Sequence, residues 1–161
     1  MKKREQSKSC FDYAVGLLAA RAYTTERLRK KLQMRGHAPE DVNEVLERLI
    51  KGRALDDSRY AAEYARQRLR AGVSVRRIRQ ELVRKGIAPA RADDAVQLVS
   101  GEENVDRSHV IRRLAMRKLA SLSRFDDLTR RRRVFAFLLR KGYETDDVNL
   151  ILASLSRDGE L

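Results

Sequence analysis

Apolar residues recur at spacings of three and four along most of the chain, and in three places the spacing repeats position for position. The stretches "LQMRGHAPEDVNEVLERL" (32–49), "LVRKGIAPARADDAVQLV" (82–99) and "LLRKGYETDDVNLILASL" (138–155) align without a gap. In each, a leucine (Leu32, Leu82, Leu138) stands four residues before a glycine (Gly36, Gly86, Gly142). Six, ten and thirteen residues after that glycine come Val42, Leu46 and Leu49, then Ala92, Val96 and Val99, then Val148, Leu152 and Leu155. These offsets trace one face of a helix. Leu28, Ile78 and Val134, four residues before each leucine, carry the same face backwards. In the second repeat Val75, Ile78 and Leu82 form the expected apolar seam.

The blocks therefore predict helix, glycine stop, helix. Glycine tolerates the left-handed backbone that ends a helix, and Arg35, Lys85 and Lys141 place a cation at the negative end of the dipole. Pro39 and Pro89 fall where a first helical turn accepts proline. A further helix precedes each pair, at about 9–21, 56–71 and 103–120. The fold class is thus all-α: an elongated array of three tandem three-helix units, about nine helices in total, divided as 1–53, 54–101 and 102–161. A unit of about 50 residues buries little core alone, so neighbours should stack. The most polar junction, "SGEENVDRS" (100–108), is the expected flexible joint.

Composition supports an ordered protein with a polyanionic partner. Hydrophobic residues make up 42%, enough for a core, while 36 Lys and Arg against 23 Asp and Glu leave a net charge of +13. Cys10 is the only cysteine, which excludes an intrachain disulfide and a cysteine-held zinc. The N-terminal region lacks a long uninterrupted apolar run, so neither a signal peptide nor a membrane span is expected, and the location predicted is cytoplasmic.

Catalytic chemistry finds no foothold. The carboxylate pairs Asp56-Asp57, Asp126-Asp127 and Asp146-Asp147 fall at predicted helix starts, and Asp93-Asp94 about a turn further in, where acids cap free amides. His37 and His109 have no acidic or cysteine partner at ligand spacing, and there is no phosphate loop or nucleophile motif. No enzyme activity, metal or cofactor is expected. Tyr60, Tyr64, Phe135 and Phe137 sit at core spacings rather than as base-stacking platforms.

The basic residues are where function enters. Between residues 66 and 91 nine cations (Arg66, Arg68, Arg70, Arg76, Arg77, Arg79, Arg84, Lys85, Arg91) face a single acid, Glu81. The third unit repeats the theme with Arg130, Arg131, Arg132 and Arg133, supported by Arg112, Arg113, Arg117 and Lys118. Like charges three and four residues apart repel, and a repulsion of this extent calls for an anionic ligand. The candidate contact residues are Arg66, Arg70, Arg76, Arg77, Arg79, Arg84, Lys85, Arg113, Arg117 and Arg130 to Arg133.

"LDDSRYAAEYARQRL" (55–69) and "RRIRQELVRKGI" (76–87) resemble the second-unit motif of the RecX regulators of the bacterial recombinase RecA. "LLAARAYTTERLRKKLQMRG" (17–36) and "FLLRKGYETDDV" (137–148) are similar to the family's first and third units. Two positions depart from its pattern: Ser74-Val75 replace the usual Gly-Pro, with Ser74 able to cap the helix, and Arg27 replaces a capping-box glutamate. The resemblance implies a non-enzymatic modulator, mainly an inhibitor, of RecA. Such a protein binds along the groove of the RecA filament on single-stranded DNA and limits its growth, ATPase and strand exchange. A monomer with weak, sequence-independent DNA contact is expected.

Two other readings of the residues stay open. One unit could act as an autonomous helix-turn-helix on DNA or RNA. The middle helix of the second unit, however, offers arginines and only Gln80, which suits phosphates better than base edges. A helical adaptor for an acidic protein is the other.

Overall fold

The computed structural model describes residues 9–102 and 107–160. Every regular element among them is a helix: α1 (Cys10–Ala20), α2 (Thr25–Met34), α3 (Pro39–Lys51), α4 (Asp57–Arg70), α5 (Val75–Arg84), α6 (Pro89–Glu102), α7 (Arg107–Ala120), α8 (Asp127–Lys141) and α9 (Thr145–Arg157). The principal helix packing pairs α1, α2 and α3 with one another, then α4, α5 and α6, then α7, α8 and α9. The array of three-helix units is the architecture expected from the repeat. Residues 103–106 of the polar junction lie outside the described residues.

Each unit closes its own core. Leu28, Leu32, Val42, Leu46 and Leu49 pack in the first, Ile78, Leu82, Ala92, Val96 and Val99 in the second, and Val134, Leu138, Val148, Leu152 and Leu155 in the third. These are the positions the aligned blocks mark. A core this small depends on each large side chain, since replacing a buried leucine such as Leu82 by alanine costs roughly 2–5 kcal/mol.

The glycine stop has the same geometry three times. Gly36, Gly86 and Gly142 have φ of 90°, 88° and 92°. The amide after each glycine donates back to the carbonyl of the block's leucine: His37 to Leu32 (3.3 Å), Ile87 to Leu82 (3.1 Å) and Tyr143 to Leu138 (3.3 Å). This is the Schellman closure of a helix end. Pro39 and Pro89 open α3 and α6 at their first positions. Asp56 caps α4 and Asp126 caps α8 through hydrogen bonds to backbone amides, while Asp146 and Asp147 lie in the first turn of α9. The paired acids thus serve helix starts, and Asp93 has a further use described below.

One inward position differs from expectation. Val75 is 47% exposed, whereas Ser74 is only 6% exposed. The buried column of α5 runs Ser74, Ile78, Leu82 at intervals of four, and that of α2 runs Thr24, Leu28, Leu32. Thr24 and Ser74 are the two polar residues buried among the described residues.

The reason for their burial is how the units meet. The start of α2 abuts the end of α5, and the start of α5 abuts the end of α8. Thr24 Oγ1 donates to the Lys85 carbonyl at 2.6 Å, and Ser74 Oγ donates to the Gly142 carbonyl at 2.7 Å. The Ser74 amide also donates to the Lys141 carbonyl at 3.0 Å. At each junction the positive start of one middle helix therefore meets the negative end of another.

Candidate partner interface

The candidate cations fall into two electrostatic groups. On α5 three of the four arginines are met by carboxylates, two of them from other elements. Arg76 pairs with Glu144 of the third unit at 2.5 Å, Arg79 makes a two-pronged contact with Asp93 of α6, and Arg77 reaches both Glu81 (3.2 Å) and the Arg140 carbonyl. On α6, Arg91 lies 3.7 Å from Asp57. The charge excess of residues 66–91 is therefore smaller in space than along the chain, because Asp57, Asp93 and Glu144 are distant in sequence.

Glu81 is the centre of a polar cluster between α4 and α5. Its carboxylate accepts from Arg68 through two nitrogens (2.9 and 2.8 Å), from the Tyr64 hydroxyl (2.9 Å) and from Arg77. Burial pushes this carboxyl up, but the donors outweigh burial and hold it down at about 2. Tyr64 is pushed up to about 12, first by burial and then by its hydrogen bond to Glu81. Lys85 lies over the Tyr64 ring at 4.7 Å, and Tyr60 stacks on Tyr64. These aromatics are packing elements, as their spacing predicts, and Phe135 and Phe137 likewise lean on the core of the third unit.

The third unit carries the second group. Arg113 and Arg117 are exposed on α7 and have no carboxylate partner among the described residues. Along α8, Arg130 pairs with Asp127 at 3.0 Å, but Arg131 donates only to the Ser156 hydroxyl, Arg132 is exposed, and Arg133 lies over the Phe125 ring at 3.8 Å. Arg112 is turned the other way, toward Asp158 and Glu160, and closes the C-terminal end of α9. Among the candidate cations, uncompensated positive charge is thus concentrated on α7 and α8. Arg84, whose guanidinium reaches the Gln80 carbonyl (3.3 Å), adds an exposed cation without a carboxylate on α5. Arg66 is half-buried and Arg70 exposed on α4.

Two features escape a reading of charge along the chain. The first is the set of carboxylates that neutralise α5, which no local pattern reveals. The second is the use of Thr24 and Ser74 between units. A hydroxyl eight residues before the block's leucine in two repeats is visible in the sequence, but it looks like helix capping alone. No group of three or more His, Cys, Asp and Glu among the described residues could hold a metal, and none of the described helices is long and apolar enough to cross a membrane.

Comparison with known proteins places these units. Family models described as the first, second and third three-helix domains of RecX match residues 10–49, 56–96 and 108–152. The chain is 34% identical to Regulatory protein RecX of Trichlorobacter lovleyi, over 88% of this chain and 92% of that one. It is 32% identical to that of Halorhodospira halophila over 96% of this chain and 92% of the relative. The crystal structure of RecX from Lactobacillus salivarius superposes with a TM-score of 0.73 at 22% identity, covering 91% of this chain and 94% of that one, which is a likeness of fold. Sequence motifs, repeat geometry and matched domains agree, and the chain belongs to the RecX family of regulatory proteins.

Proposed function

We propose that this protein is a non-enzymatic modulator of RecA, acting mainly as an inhibitor. It docks along the groove of the RecA filament on single-stranded DNA and limits filament growth, ATPase and strand exchange. The observation that carries this reading is the uncompensated cation surface of α7 and α8, with Arg113, Arg117, Arg131, Arg132 and Arg133, set on a row of stacked units. A filament groove lined by phosphates and acidic subunit surfaces complements such a surface along its length. On α5, Arg76 and Arg77 serve chiefly to hold the second unit to the third and Arg79 to tie α5 to α6, with Arg84, Lys85, Arg66 and Arg70 adding to the field. DNA contact is weak and sequence-independent, the working form is a monomer, and the site of action is the cytoplasm.

The alternative of an autonomous DNA-binding protein loses support from α5. Three of its arginines hold partners inside the protein, and entering a groove as a recognition helix would require giving these up. RecA ATPase on single-stranded DNA, measured with and without this protein, tests the reading. Inhibition at substoichiometric ratios to a cognate RecA is expected, with much weaker binding to naked DNA. An unchanged ATPase, or equal affinity for DNA with and without RecA, would overturn it.

A further inference from the structure

We infer that Thr24 and Ser74 are positioning residues, hydroxyl latches that set the register between successive units and so present three separate basic units as one row. Each hydroxyl performs two tasks at once. As an acceptor it caps its own helix, taking the amide of Arg27 or Arg77 at 3.3 Å. As a donor it reaches a carbonyl at the end of the next unit's middle helix, Lys85 or Gly142. A hydroxyl accepts from its own helix and donates to a carbonyl through one atom; a carboxylate caps as well but has no proton to give. Both residues are almost completely buried, so an unmade bond would leave a hydroxyl proton without a partner away from water.

The receiving ends are shaped for the latch. A side chain at Gly142 would bring its Cβ to 2.6 Å from Ser74 Oγ and from Arg77 Cβ, and one at Gly86 would run into Glu26. At Gly36, whose helix end receives no unit, an added Cβ would meet nothing within 4 Å beyond its chain neighbours among the described residues. The other end of the row is finished differently. Arg130 stands eight residues before Leu138, in the place of Thr24 and Ser74, and α8 continues one turn further to an Asp126 cap. The latch occurs where units join and is replaced where the row stops. Further contacts strengthen the second junction, with Tyr143 Oη donating to the Gly72 carbonyl at 3.2 Å and Lys141 Nζ to the Ala71 carbonyl at 2.7 Å.

The test separates capping from latching. In a Cys10→Ala background, spin labels at Glu47→Cys and Gln97→Cys report the first junction, and labels at Gln97→Cys and Ala153→Cys the second; all three positions are exposed and equivalent in the repeat. The full-length parent is expected to show one narrow distance for each pair. Thr24→Asp preserves a good helix cap but removes the donor and sets a carboxylate against carbonyls. It is expected to broaden the first distribution by about twofold and leave the second unchanged. Ser74→Asp is expected to do the reverse, with far-ultraviolet helix content retained in both, while Thr24→Ser keeps the parent distances. Should an aspartate variant lose helix content, Thr24→Val and Ser74→Ala remove the donor without adding charge and are expected to broaden the same junctions selectively. Unchanged widths, or equal broadening of both junctions by either variant, would refute the latch. The distances are read without RecA, so the outcome is independent of the proposed partner.

Discussion

Glu81 sits where α4 and α5 meet, 14% exposed at its side chain, and three donors converge on it. Its carboxyl is held at about 2 against an ordinary value of 4.5, so its ionised form is stabilised in the folded protein. A group whose folded value is depressed contributes fully above its unfolded value and loses that contribution as pH falls toward the folded one. Unfolding free energy from urea titrations is expected to fall by roughly 3 kcal/mol between pH 4.5 and pH 2 on account of this residue, corresponding to the displacement of its titration. Glu81→Gln should be less stable than the parent at pH 7 and lose most of that dependence. Tyr64→Phe, which removes one donor but keeps the ring against Tyr60 and Lys85, is expected to cost about 1–2 kcal/mol and to raise the Glu81 value.

Helix ends decide how elements become units. The three glycines share one backbone conformation, yet they differ in what faces them. Alanine at Gly36 meets only the strain of a left-handed backbone and is expected to cost about 1 kcal/mol. Alanine at Gly86 or Gly142 adds a collision with the neighbouring helix start, and a loss of about 2–4 kcal/mol is expected. Thermal melts of the three variants, compared at equal pH, check the order; equal losses would show that the neighbouring unit does not press on these sites. The helix pattern itself was legible from the leucine, glycine and downstream apolar offsets, because core burial imposes helical periodicity on sequence. Val75 was misplaced for a physical reason: the buried column of α5 steps by four from Leu82 through Ile78 to Ser74. A hydroxyl with a partner can occupy a buried position that a hydrophobic pattern assigns to the nearest valine.

Across the whole molecule, the proposed function assigns partner binding to the cations that remain uncompensated after folding. Removing Arg131, Arg132 and Arg133 together by alanine is expected to weaken binding to the RecA filament and to flatten the slope of log affinity against log salt by roughly two, if each arginine meets a phosphate of a single strand. Alanine at Arg76, Arg77 and Arg79 is expected to change the slope less, since those charges are already opposed within the fold, while loosening the junction of the second and third units. Filament-binding titrations at several salt concentrations distinguish the two sets. Equal slopes for both triple variants would mean that internal pairing does not govern which arginines reach the partner.

What the sequence determined by itself is everything that rests on near neighbours along the chain: the helical segments, their stops at Gly36, Gly86 and Gly142, the core faces, the capping acids and the family motif. Local backbone preference and helical periodicity act over a few residues, so they leave their record in a few residues. Tertiary structure alone decided two matters. It brought Asp57, Asp93 and Glu144 to arginines that stand apart from them in sequence, so that among the candidate cations those of α7 and α8 are left uncompensated. It also seated Thr24 and Ser74 on the carbonyls of the following units. Both depend on contacts between residues far apart along the chain, and charge or hydroxyl position carries no mark of the partner it will meet.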